Sequence, residues 1–171
     1  RDFMLSEKSQ ELGKRARAGF ALATADCSGD PVTGSNDVDH PIPELKWVHS
    51  DIDIENVPFD MMVTCVDVHF EIVHPLAADL WVDLKDQGQT HQATLWFLEG
   101  GDDGRIARTV TGVTEFAGEQ VNQAWGLWAT DVVPEYEGYI DSWWIKIYYE
   151  QRDTVPAHDE RSEAVPIEAG V

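Results

Sequence analysis

The stretch Val63–Leu84, VTCVDVHFEIVHPLAADLWVDL, decides how this chain folds. Val66, Val68, Phe70 and Ile72 alternate with Asp67, His69, Glu71 and Val73, the period of two that gives a strand one apolar face. On a helix the same alternation would scatter the apolar side chains around the axis. A short turn containing Pro75 follows His74, and Leu80, Val82 and Leu84 then resume the pattern against Trp81 and Asp83. Further on, Ala93–Leu98 (ATLWFL) reads as a short covered strand, EGGDDGR (Glu99–Arg105) as a turn, and RTVTGVT (Arg108–Thr114) as another strand. A loop runs from Phe116 through Gly118. Trp125, Leu127 and Ala129 form one inward face, and Trp143, Ile145 and Ile147 another. Many short strands separated by turn signals predict an all-β, antiparallel two-sheet sandwich over residues 26–149.

The flanks differ in composition. In residues 1–25, Leu5, Leu12, Ala16 and Phe20 recur at helical spacing among charges, which predicts a partly helical arm that needs something to pack on. From Cys27 to Pro43, CSGDPVTGSNDVDHPIP has loop composition with room for short strands. Residues 150–171 are polar with two Pro, an extended tail that is easiest to order against another element or subunit.

Charge narrows the function. With 32 acidic and 12 basic residues among 171, the net charge is −20. Such a surface repels phosphate backbones, so nucleic-acid binding is excluded as a function class. Residues 1–25 carry five basic and three acidic side chains, 5 − 3 = +2, leaving −22 for the rest. A mildly basic arm on an acidic body suits docking onto its own or a neighbouring copy. Strong acidity also suits a salt-rich or calcium-rich medium. No apolar run is long enough to span a membrane as a helix. The two cysteines, Cys27 and Cys65, leave two readings open: one disulfide, as in secreted proteins, or two buried thiols.

Taken in order, these pieces resemble the P domain (Homo B domain) that follows the catalytic domain in proprotein convertases and some bacterial subtilisin-like proteases. His74, Asp79 and Leu80 match a strand ending in His before an Asp-Leu pair. Gly118 with Trp125, Leu127 and Asp131 matches the penultimate strand, and Gly138, Ile140, Trp143 and Ile145 match the last. Lys85-Asp86-Gln87-Gly88 replaces the usual Pro-x-Gly turn, and Ala124 stands where a Gly is usual. The match spans about residues 51–149. The resemblance implies a jelly-roll-like sandwich that stabilises or binds rather than catalyses, and calcium in its acidic loops in some members.

Candidate sites follow. Asp51, Asp53 and Glu55 alternate, with Asp60 nearby and Asp102-Asp103 in a Gly-rich turn; hard oxygen donors of this kind suit calcium, although the spacing is not that of an EF-hand. Asp37 and Asp39 could join them if their loop folds inward. His74 and Asp79 are read as a structural pair fixing a hairpin, because no Gly-x-Ser-x-Gly or comparable nucleophile context accompanies them. The spacings of His69, His74 and His91 match no zinc motif. Trp81, Trp96, Trp128 and Trp144 alternate with inward positions and are expected to face outward, where sugars, a partner or a terminal arm could cover them.

The expectation is therefore a secreted or cell-surface, non-catalytic structural module that self-associates through its terminal arms. An accessory domain of a secreted subtilisin-like protease and a carbohydrate-binding module are the alternatives. The partners expected are copies of itself or a neighbouring surface protein, with calcium as the one candidate cofactor.

Overall fold

The computed structural model describes residues 22–152. Nine strands form two antiparallel sheets packed face to face. The first sheet contains β1 (Val32–Asn36), β2 (His40–Ile42), β4 (Met61–Val73), β7 (Arg105–Val113) and β9 (Gly138–Gln151), in the order β1-β9-β4-β7 with β2 also on β9. The second contains β3 (Val48–Asp53), β5 (Leu80–Lys85), β6 (Gln92–Phe97) and β8 (Ala124–Asp131), in the order β3-β8-β5-β6. This is the antiparallel two-sheet sandwich expected from the alternation and turn signals, with the jelly-roll-like form that the resemblance implies. The only helical turn among the described residues is Ala77–Asp79. The helical stripe of Leu5–Phe20 and most of the tail lie outside the described residues; Thr24 itself is extended, bridging to Val113.

The core is made by the inward half of each alternating strand. Val66, Val68, Phe70 and Ile72 of β4 face Leu80, Val82, Trp125 and Leu127 of the second sheet, with Trp143 and Ile145 of β9 beside them, each at most 1% exposed. Each large buried aliphatic or aromatic side chain contributes about 1.5–3 kcal/mol by leaving water, which is why the pattern holds these strands in register. Phe116 packs edge-on to Trp125 with ring centroids 5.2 Å apart. The buried indole N–H of Trp143 donates to Ser50 Oγ across the core at 2.9 Å, so the largest ring of β9 leaves no unpaired donor.

One connection departs from expectation. β4 and β5 do not form a hairpin fixed by His74 and Asp79; they lie in different sheets, and residues 74–79 arch from one to the other. Alternation shows which side chains point inward, and that holds equally for strands paired side by side or stacked face to face.

The segment before β1 is tied down twice. Cys27 and Cys65 form a disulfide, closing 38 residues of chain onto β4. Ala25 N–H donates to the carbonyl of Gly112 at 2.8 Å, and Thr114 N–H to Ala23 O at 3.1 Å. Gly112 sits at φ +73°, where a Cβ would lie 2.1 Å from Ala25 O, so only glycine allows this close approach.

Candidate functional site

The six carboxylates expected to hold calcium are not brought together. Asp53 and Glu55 lie at the end of β3 nearest the β5–β6 turn, and Asp60 precedes β4 at that same end. Asp102 and Asp103 lie in the β6–β7 turn at the opposite end, where His74 N–H bonds to Gly104 O. The full 13-residue length of β4 separates the two groups. Asp51 points to the outer face and bonds His49 Nδ1 at 2.9 Å, while Asp60 accepts from Gln151 at 2.6 Å. The two groups are held apart because the β3–β4 and β6–β7 connections lie at opposite ends of the sandwich.

His74 is fully buried, and its partner is Asp131 rather than Asp79: Nε2 lies 3.0 Å from Asp131 Oδ2, both side chains 0% exposed. Nδ1 lies 2.8 Å from Leu76 O. Burial alone would lower the His74 pKa, but the hydrogen bond and charge of Asp131, then Leu76 O and Asp79, raise it above 6.5. A charged ring donates from both nitrogens, to Asp131 Oδ2 and to Leu76 O. The Leu76 amide, 3.1 Å from Nδ1, could bond only a neutral ring, and the raised pKa favours the charged one. Asp131 also takes the Val133 N–H at 2.9 Å, and Gly138 leaves room for the imidazole, since a Cβ there would lie 2.5 Å from His74 Cδ2. The Asp79 pKa is raised by burial first and by the Asp131 charge second. With no exposed atom, the pair has no access to a substrate. It pins the β4–β5 arch to the end of β8.

The outer face of the second sheet is different in character. Its middle row reads His49–Trp128–Asp83–Thr94 across β3, β8, β5 and β6, and the next reads Asp51–Gly126–Lys85–Gln92. His49 stacks on Trp128 at 4.4 Å and 20°. Lys85 Nζ lies 4.7 Å from the Trp128 ring centre and 5.1 Å from that of Trp47, which is 40% exposed. Trp47 meets Trp81 edge-on at 5.4 Å. Beneath them Asp83 accepts from Trp81 Nε1 at 2.7 Å and Thr94 Oγ1 at 2.8 Å. Burial raises the Asp83 pKa, against those donors and Lys85. Gly126 keeps the floor flat: a Cβ there would lie 2.7 Å from Trp128 Nε1 and 3.0 Å from Asp51 Oδ1.

Trp81, Trp128 and Trp144 do face away from the core. Trp96 does not, because a bulge between Val82 and Asp83 shifts the β5–β6 register and turns its ring toward Ala77, whose carbonyl takes its N–H at 3.0 Å. Trp144 has its own neighbours on the first sheet, His69 stacked at 5.5 Å and Lys146 at 5.2 Å. Trp47, His49 and Lys85 escaped sequence reading as a site. Their signal is the alternation of Trp47, His49 and Asp51 with Val48, Ser50 and Ile52. His91, whose spacing fits no zinc motif, meets Asp86 and Glu119, the one group of three side chains among the described residues that could hold a metal ion.

No protein family and no curated protein matches this chain. Among solved structures, one described as FLHE is 14% identical, with 72% of this chain and 100% of that one aligned at a TM-score of 0.49. Dimeric latent PorU from Porphyromonas gingivalis is 6% identical over 77% of this chain and 14% of its own, at 0.42. A serine protease of Aeromonas sobria is 17% identical over 74% and 24%, at 0.38. This chain thus spans a quarter or less of the latter two proteins. At these identities, function has to be read from the site.

Proposed function

We propose that this chain is a non-catalytic, extracellular, P-domain-like binding module that holds neutral glycan chains on its Trp47–Trp128 face. The observation that carries this reading is the pair of indoles bracketing Lys85 on the outer face, Trp47 exposed and Trp128 half-buried, with His49 and Asp51 alongside. Aromatic faces stack on the C–H faces of sugar rings, and donors and acceptors at their margins select hydroxyl groups. The −20 charge repels polyanions, so the glycan is neutral. The Cys27–Cys65 disulfide supports an oxidising, extracellular setting. Titrating tryptophan fluorescence with neutral β- and α-linked oligosaccharides is expected to show saturable quenching by at least one of them. Trp128→Ala should weaken that binding about tenfold or more, a loss of about 1.4 kcal/mol, whereas Trp144→Ala on the other sheet should not. Equal affinity in both variants, or no quenching at millimolar sugar, would sink the proposal.

Self-association through the arms is the second reading, favoured by the seat of Leu22. Leu22 packs against the core and lines a cavity of about 190 Å³ with Leu95, Trp96, Phe97 and Arg108, along the open side between β6 and β7. An apolar side chain seated beside two sheet edges marks a place where a segment of the same or a neighbouring copy can pack. Light scattering is expected to give a concentration-dependent mass for the full chain and a monomer once residues 1–21 are removed. A monomer in both cases refutes it.

A further inference from the structure

At the end of the sandwich remote from His74, Asp86, His91 and Glu119 converge from two separate segments. Asp86 and His91 bound the β5–β6 turn of the second sheet, while Glu119 sits in the loop before β8 and is anchored to the first sheet: its carbonyl takes the Val63 N–H at 2.9 Å. His91 Nδ1 lies 3.7 Å from Asp86 Oδ2 and 3.3 Å from Glu119 Oε1. One donor atom from each of the three residues fits within 4.8 Å of the other two.

We infer that these three side chains form a binding site for a divalent ion of the zinc class, which clamps the two sheets together at this end. Three features carry the inference. The first is spacing: donors at about 2.0–2.2 Å from a tetrahedral zinc stand about 3.3–3.6 Å apart, and the two separations involving Nδ1 fall at or next to that range. The second is donor chemistry. An imidazole nitrogen with two carboxylates suits zinc, cobalt or nickel, whereas calcium takes six to eight oxygens, more than this group offers. The third is rigidity in the deepest donor. Asp86 is 4% exposed, and its carboxylate is fixed by the Thr90 hydroxyl at 2.7 Å and the His91 amide at 3.0 Å. Such fixing of a carboxylate by outer partners is what oriented metal ligands show. His91 and Glu119, 43% and 31% exposed in their side chains, leave the fourth position open to water or to a group from a partner.

The site is independent of the glycan face, and its test does not depend on it. After treatment with EDTA, calorimetric titration of the full chain with zinc chloride is expected to show one site per chain. Cobalt chloride should add visible absorption bands of four- or five-coordinate Co²⁺. Zinc at about a hundredfold over its Kd should raise the melting midpoint by roughly 5–10 °C, because the ion binds only the folded form. His91→Ala and Glu119→Gln are surface changes that should leave the metal-free melting midpoint in place yet weaken zinc binding at least a hundredfold and abolish the cobalt bands. Calcium chloride should give no such midpoint shift. Zinc binding that survives both substitutions places the ion on other residues and overturns the assignment, and so does the absence of any binding at micromolar zinc.

Discussion

Removing the Cys27–Cys65 disulfide is expected to cost the fold roughly 3–4 kcal/mol, from the entropy the cross-link withholds from the unfolded chain. The bond closes 38 residues that include β1, β2 and β3, three strands whose pairing partners are β9 and β8 alone. For a chain of 171 residues, that loss lowers the melting midpoint by about 6–16 °C. Thermal unfolding of Cys27→Ser/Cys65→Ala beside the oxidised chain measures it. A midpoint within 1 °C of the parent would show that the unfolded chain gains nothing from the cross-link. Because Ala23, Ala25 and Thr114 keep their backbone bonds along β7, the variant should still fold and keep its strand spectrum.

Breaking the His74–Asp131 pair should cost a comparable amount. His74→Leu leaves the Asp131 carboxylate buried with one amide in place of a charged partner, a change worth about 3–5 kcal/mol. Replacing both, His74→Leu/Asp131→Leu, should recover part of the loss, since no charge is then stranded; a double variant weaker than the sum of the singles would refute a net attractive pair. The pH profile supplies a separate readout. Folded His74 holds its proton more tightly than the ordinary value of 6.5 allows, so its contribution is complete below about pH 6.5 and is lost as pH rises through the raised folded value. Asp79, also raised, works in the same sense at lower pH: its cost is full above its folded value and eases as pH falls toward 3.8. Thermal melts from pH 6 to 9 should therefore fall in the parent and run flatter in His74→Leu. Parallel slopes would mean that His74 is neutral in the folded state throughout.

The proposed glycan face and the zinc-class site were legible to different degrees. Trp128 stood out because its alternation with Leu127 and Ala129 pointed it outward, but nothing along the chain indicates that Lys85 would reach it and Trp47 together. The bulge between Val82 and Asp83, which turns Trp96 inward, has no mark in ATLWFL. The Asp51–Asp60 and Asp102–Asp103 carboxylates stand at opposite ends and on different faces, while Asp86 and Glu119, 33 residues apart, are brought together. A metal site needs donors within a few ångströms, and across sheets that is a matter of loop placement.

Composition and periodicity by themselves determined that residues 26–149 build an all-β sandwich and which side of each central strand faces the core. These are local properties: they follow from side-chain polarity at alternate positions. Only the tertiary structure decided which strands share a sheet, that residues 74–79 arch between sheets, that His74 answers to Asp131, and that Asp86, His91 and Glu119 meet. Those outcomes depend on pairing between segments far apart in the chain, where the same inward-facing pattern fits several partners and the close packing of the whole core selects one.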